Sequence, residues 1–147
     1  MRPLKLLAAA AGLALVAGCV AHQDTQPAHE DGTYRGGFYD RGDIQMVVQF
    51  TLEDQVITRA NFRRLYHGGI NYLNTEDATR QGIASQYQEL LAAGIGQPID
   101  AFIPQLYSPA ELVTDQAEVD GFTAATLRSN KLVSSMRDAL NRGVYSY

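Results

Sequence analysis

Seven consecutive residues, Asp120-Gly121-Phe122-Thr123-Ala124-Ala125-Thr126, combine a carboxylate, two hydroxyls and small side chains ahead of an amphipathic stretch. From Leu127 to Arg142 the apolar Leu132, Val133, Met136 and Leu140 recur at helical spacing, with Ser134, Ser135, Asp138 and Asn141 mostly opposite. Thr123 reads as the N-cap, because its hydroxyl can accept from an unpaired first-turn amide. Gly143, after Arg142, reads as the stop. In this register Thr126 falls in the first turn, where free amides and the positive end of the helix dipole favour an anion. Arg128 and Lys131 add positive charge nearby. A phosphate ester on the Thr126 hydroxyl would be electrostatically favoured there. Ala124 and Ala125 leave that oxygen open to a bulky modifying group.

The pattern Asp-Gly-x-Thr-(Gly/Ser/Ala)-Ala-Thr resembles the flavinylation motif of FMN-binding domains. Such domains occur in bacterial flavin-carrying lipoproteins and in the peripheral flavin subunits of sodium-pumping NADH:quinone reductases and their ferredoxin-dependent relatives. The resemblance runs from Asp31-Gly32-Thr33-Tyr34 to Tyr147. It implies that Thr126 is the acceptor of FMN, joined through its phosphate, and that Asp120, Gly121, Thr123, Ala124 and Ala125 are supporting positions. It also implies a separate flavin transferase, with FAD as donor and magnesium as that enzyme's metal. Two positions depart from the pattern: Ala124 stands where glycine is commonest, and Arg128 where a second Ser or Thr is often found. The implied function is electron transfer between membrane redox donors, protein or quinone, and extracytoplasmic acceptors, with no substrate chemistry of the chain's own.

Two other classes stay open on the sequence. One is a non-covalent flavin-binding module, or a ligand-binding lipoprotein without redox function. The other is a catalytic flavin reductase, which would need a nicotinamide site. Neither a Gly-rich dinucleotide fingerprint after a strand nor a Ser/His/Asp arrangement is present to supply one.

The elements that must position Thr126 follow from patterning. Arg2 and Lys5 precede an apolar run, Leu6 to Ala17, too short to span a bilayer comfortably, and Val16-Ala17-Gly18-Cys19 reads as a lipobox. Residues 1–18 are therefore expected to be a lipoprotein signal peptide, with a lipid on Cys19, the single cysteine. Acyl chains there would hold the protein on the outer face of a cell membrane or outer membrane. Residues 19–30 read as a polar tether in which His22 and His29 are solvated rather than metal ligands. Loss of residues 1–18 leaves ten basic against sixteen acidic side chains, a net charge of −6. That acidic balance argues against a nucleic-acid partner.

Residues 31–147 then read as one domain. Gly32 to Asp40 is strand-like, and Asp40-Arg41-Gly42-Asp43 is a hairpin turn whose chemistry accounts for its Arg-Gly-Asp tripeptide. Ile44, Met46, Val48, Phe50 and Leu52 alternate as the clearest strand, Glu53-Asp54-Gln55 turns, and Val56 to Tyr66 returns. The glycine-bearing loop Tyr66 to Tyr72 either packs on an isoalloxazine ring or only joins strand to helix. A helix is expected after Asn74-Thr75-Glu76-Asp77, with acidic residues in its first turn and a stripe of Ile83, Ala84, Tyr87, Leu90 and Leu91. A short helix or turn is expected over Gln97 to Tyr107, and a short strand over Leu112, Val113 and Val119. Tyr145 and Tyr147 are expected to pack on the sheet. The fold class is α+β, a small antiparallel meander packed against helices.

Overall fold

The computed structural model describes residues 28–114 and 128–146; the Asp120–Thr126 motif, Cys19 and Tyr147 lie outside the described residues. Within them the fold is α+β, as patterning predicts. Four strands, β1 (Gly32–Asp40), β2 (Ile44–Glu53), β3 (Val56–His67) and β4 (Ile70–Asn71), form one antiparallel meander in chain order. The period-2 alternation puts Tyr34, Met46, Val48, Phe50, Leu52, Phe62 and Leu65 on one face, all buried. Helices α1 (Ala78–Ala92), α2 (Ile99–Gln105) and α3 (Ser129–Arg142) contribute Leu90, Leu91, Phe102, Leu132, Val133 and Met136 to the same core.

The turns set the register. Arg41 and Gly42 both have positive φ, and Asp54 and Gln55 repeat this in a two-residue hairpin. That geometry matches the right-handed strand twist. Gln55 is a poor residue for it, and two bonds hold it there: its amide donates to the His29 carbonyl, and its oxygen accepts from the His29 N–H at 3.1 Å. His29 also meets the Tyr34 ring edge-on, and the Glu30 carbonyl accepts from the Tyr34 hydroxyl at 2.6 Å. The end of the expected tether is thus docked on the sheet.

Helix α3 packs most heavily on β1, and Gly36 is the reason. A Cβ at Gly36 would stand 2.1 Å from the Ala139 nitrogen and 2.4 Å from the Ser135 oxygen. Without it the helix lies almost against the strand. Ser135, expected on the solvent side, is instead fully buried and donates to the Met46 carbonyl at 3.1 Å. The Asp138 carboxylate accepts from the Gly37 N–H at 2.8 Å, and the Tyr145 N–H donates to the Thr33 carbonyl at 2.7 Å.

Other expectations need correction. Helix α1 has no acidic residue in its first turn; Asp77 is its N-cap and accepts from the Arg80 N–H at 2.9 Å. Leu112 and Val113 follow a 3-10 turn (Pro109–Glu111) and form no strand, while Val119 lies outside the described residues. The connector after β3 hides β4, because Gly68 and Gly69 reverse the chain and let Asn71 pair with Tyr66. Helix α3 begins at Ser129, with Arg128 at its N-cap and no side-chain cap bond. The expected cap, Thr123, and the expected first-turn residue, Thr126, lie outside the described residues. The apolar periodicity that supports a helix begins at Leu132, so nothing in the pattern required it to reach back to Thr123.

Candidate functional site

A cavity of about 90 Å3 opens where the start of β2, the end of β3, α1 and the N-terminus of α3 meet. Alternation along β2 and β3 supplies Ile44, Met46 and Leu65, which with Ile83 of α1 give it an apolar wall. Tyr66, Tyr72 and Tyr87 add aromatic rings, and Arg128 and Lys131 stand at its α3 side. Enclosing pockets for ligand-sized molecules run to ~300–1,000 Å3. This one can seat one edge of a planar ring and leaves the remainder outside.

Each wall residue is fixed by its neighbours. The Tyr87 ring meets Phe62 edge-on at 6.2 Å, and its hydroxyl accepts from the Arg128 N–H at 3.1 Å. That bond satisfies one of the amides that a helix N-terminus leaves unpaired. Lys131 holds its ammonium over the Phe38 ring, 4.3 Å from the centroid. His67, half exposed, has Nδ1 at 3.3 Å from the Tyr72 hydroxyl and Nε2 at 4.0 Å from an Asp43 carboxylate oxygen. Tyr72 and His67 therefore share the rim with a carboxylate from the first hairpin.

Burial raises the Tyr87 phenol above its ordinary 10.0, with the Arg128 N–H and guanidinium opposing the rise. Below pH 10 the phenol is neutral in both folded and unfolded chains, so its contribution to stability is fully present. As pH climbs through 10, the unfolded chain releases the proton first and stability falls until the folded phenol ionises too. Tyr87→Phe is expected to remove this part of the alkaline loss. Urea midpoints compared from about pH 9 to 11 would read it; an identical slope in both proteins would assign the loss elsewhere.

No family model matches the chain, and no curated protein or solved structure is significantly similar to it.

Of the residues singled out in the sequence, the fold brings Tyr66, His67, Tyr72, Arg128 and Lys131 to one cavity. The motif residues Asp120, Gly121, Thr123, Ala124, Ala125 and Thr126, like Cys19, lie outside the described residues. Tyr87 was legible only as part of α1's apolar stripe; a hydroxyl among Ile83, Leu90 and Leu91 was the available signal. Ile44, Met46 and Leu65 carried no signal beyond core alternation. No group of three or more His, Cys, Asp or Glu side chains with metal-binding geometry occurs among the described residues, and none of the described helices is long and apolar enough to cross a membrane.

Proposed function

We propose that this chain is a membrane-tethered, extracytoplasmic electron carrier with FMN joined through its phosphate to Thr126. The observation that carries the reading is the aromatic-lined cavity at Arg128, two residues after Thr126. Two residues span at most about 7 Å, so a group esterified to Thr126 starts within reach of that cavity. The chemistry of the lining suits the group. Met46, Leu65 and Ile83 offer a ring edge apolar contact, the tyrosines offer aromatic faces, and Arg128 and Lys131 offer charge to a phosphate. When bound, FMN supplies reversible electron transfer; these residues bind and orient it. Thr126 provides the oxygen consumed in attachment, a flavin transferase catalyses that step from FAD, and Cys19 carries the lipid that holds the domain at the membrane.

Intact mass of the processed protein, produced with and without a flavin transferase, tests this directly. A gain of one FMN only in the presence of the transferase is expected. Flavin that leaves on denaturation would support a non-covalent module instead. Given the loaded protein, Tyr66→Ala and Tyr72→Ala are expected to retain the flavin and shift its absorbance or midpoint potential. Unchanged values in both variants would remove the cavity from the site.

A further inference from the structure

The helices cover one face of the sheet, and the other face carries positive charge on an otherwise acidic chain. Strand register places Arg59 beside Thr51 and Thr33, Arg35 beside Gln49 and Asn61, and Arg64 beside Val47 and Gly37. These rows have the opposite parity to Met46, Val48 and Phe50, so Arg35, Arg59 and Arg64 point away from the core. Arg63, at the β3 irregularity, is exposed as well. Glu53, at the hairpin end of β2, is the acidic side chain of the same parity on that strand. The ion pairs among the described residues involve His29, His67, Arg80 and Arg142, and none of the four sheet arginines. The formal charge of the chain is −4, so this face opposes the sign of the molecule as a whole.

We propose that this open sheet face lies on the anionic headgroups of the membrane that carries the lipid anchor. The proposal rests on the Cys19 reading for its location, and on the charge of the face for its partner. Arg59, Arg63 and Arg64 are spread along β3, while Arg35 of β1 lines a hollow of about 340 Å3 with Arg142 and Tyr145. Val47, at the centre of the face, is buried and offers a protein partner no protruding apolar anchor. Tyr39, outward on β1 and 59% exposed, is the kind of amphipathic ring that settles at headgroup level. Cys19 precedes β1 by thirteen residues. Such a segment reaches at most about 45 Å, which keeps the face at high effective concentration near the surface. The cavity lies on the helix side of the sheet, so a docked sheet leaves it open to partners in solution.

The test uses the chain from residue 19 onward, produced without the leader and with Cys19→Ser so that no thiol can be acylated, sedimented with vesicles of phosphatidylcholine alone or mixed with phosphatidylglycerol. Binding is expected only to the anionic vesicles, and it should weaken steeply as salt shortens the screening length. Each surface arginine contributes about fivefold, so Arg59→Gln, Arg63→Gln and Arg64→Gln together should weaken binding on the order of 100-fold. Arg35 is kept, because its guanidinium holds Gln49 and Tyr145. Unchanged urea midpoints would establish that the triple variant is folded. Absence of binding to anionic vesicles, equal binding by the triple variant, or binding of an acidic soluble protein in place of vesicles would overturn the proposal. Flavin attachment and acylation of the native chain are read separately by mass, so their failure is distinguishable from failure of this face.

Discussion

Thr126→Ala is expected to fold as the parent does and to carry no covalent FMN, an all-or-none loss read by intact mass after exposure to a flavin transferase. Three hydroxyls compete for the assignment. Ser129 is the first residue of α3 and only 7% exposed, so its oxygen is poorly placed to meet a modifying enzyme. Thr123 lies five residues before Arg128, and an ester there would start farther from the cavity. Thr126 combines closeness to Arg128 in sequence with small residues, Ala124 and Ala125, ahead of it. Thr126→Ser should retain part of the modification, because the nucleophilic oxygen survives. FMN mapped to Thr123 or Ser129, or a flavin-loaded Thr126→Ala protein, would sink the assignment. Arg128, the N-cap of α3, follows Thr126 by two residues and brings positive charge close in sequence.

Gly36→Ala is expected to be the most destabilising single-methyl change in the described fold. The new carbon would meet backbone atoms of Ala139 and Ser135 at 2.1 and 2.4 Å, and backbone cannot rotate away as a side-chain tip can. Relief requires α3 to lift from β1, which also stretches the Ser135–Met46 and Asp138–Gly37 hydrogen bonds. Overpacking alone costs roughly 1–3 kcal/mol, and each lost hydrogen bond about 1 kcal/mol more. We therefore expect about 3 kcal/mol or more, a fall in Tm on the order of 10 °C. Gly42→Ala is the informative comparison: its Cβ meets open space, and only its positive φ is violated. That strain is about 1–2 kcal/mol. Equal losses for the two variants would show that the close helix approach is not what Gly36 provides.

The meander was legible because Ile44, Met46, Val48, Phe50 and Leu52 alternate along β2 and its turns use Gly and Asp where the chain must reverse. The short β4 was not, since two residues carry no periodicity and only Gly68 and Gly69 announced the reversal. Ser135 misled for a physical reason: helical patterning assigns a hydroxyl to solvent, and only the space left by Gly36 draws it under the helix. His29 was read as linker from the polar composition around it, although it bonds Gln55, 26 residues along the chain, and meets the nearby Tyr34 ring. The site was half legible. Arg128 and Lys131 read as charge beside the motif, and the Tyr66–Tyr72 loop as either a flavin contact or only a connector. Tyr87 looked like any core position of α1, because its hydrogen bond to Arg128 spans 41 residues.

The pairing of α3 with β1 also orders events in time. Gly37 and Asp138 are 101 residues apart, and Arg35 and Tyr145 are 110. Contacts of such high sequence separation form slowly even in a complete chain. During synthesis, at roughly 5–20 residues per second, β1 must wait on the order of 5–20 s for the helix that covers it. Until then the apolar face of the meander lacks Leu132, Val133 and Met136. A nascent chain in that condition keeps part of its apolar sheet face uncovered for most of its synthesis, until α3 emerges to close it.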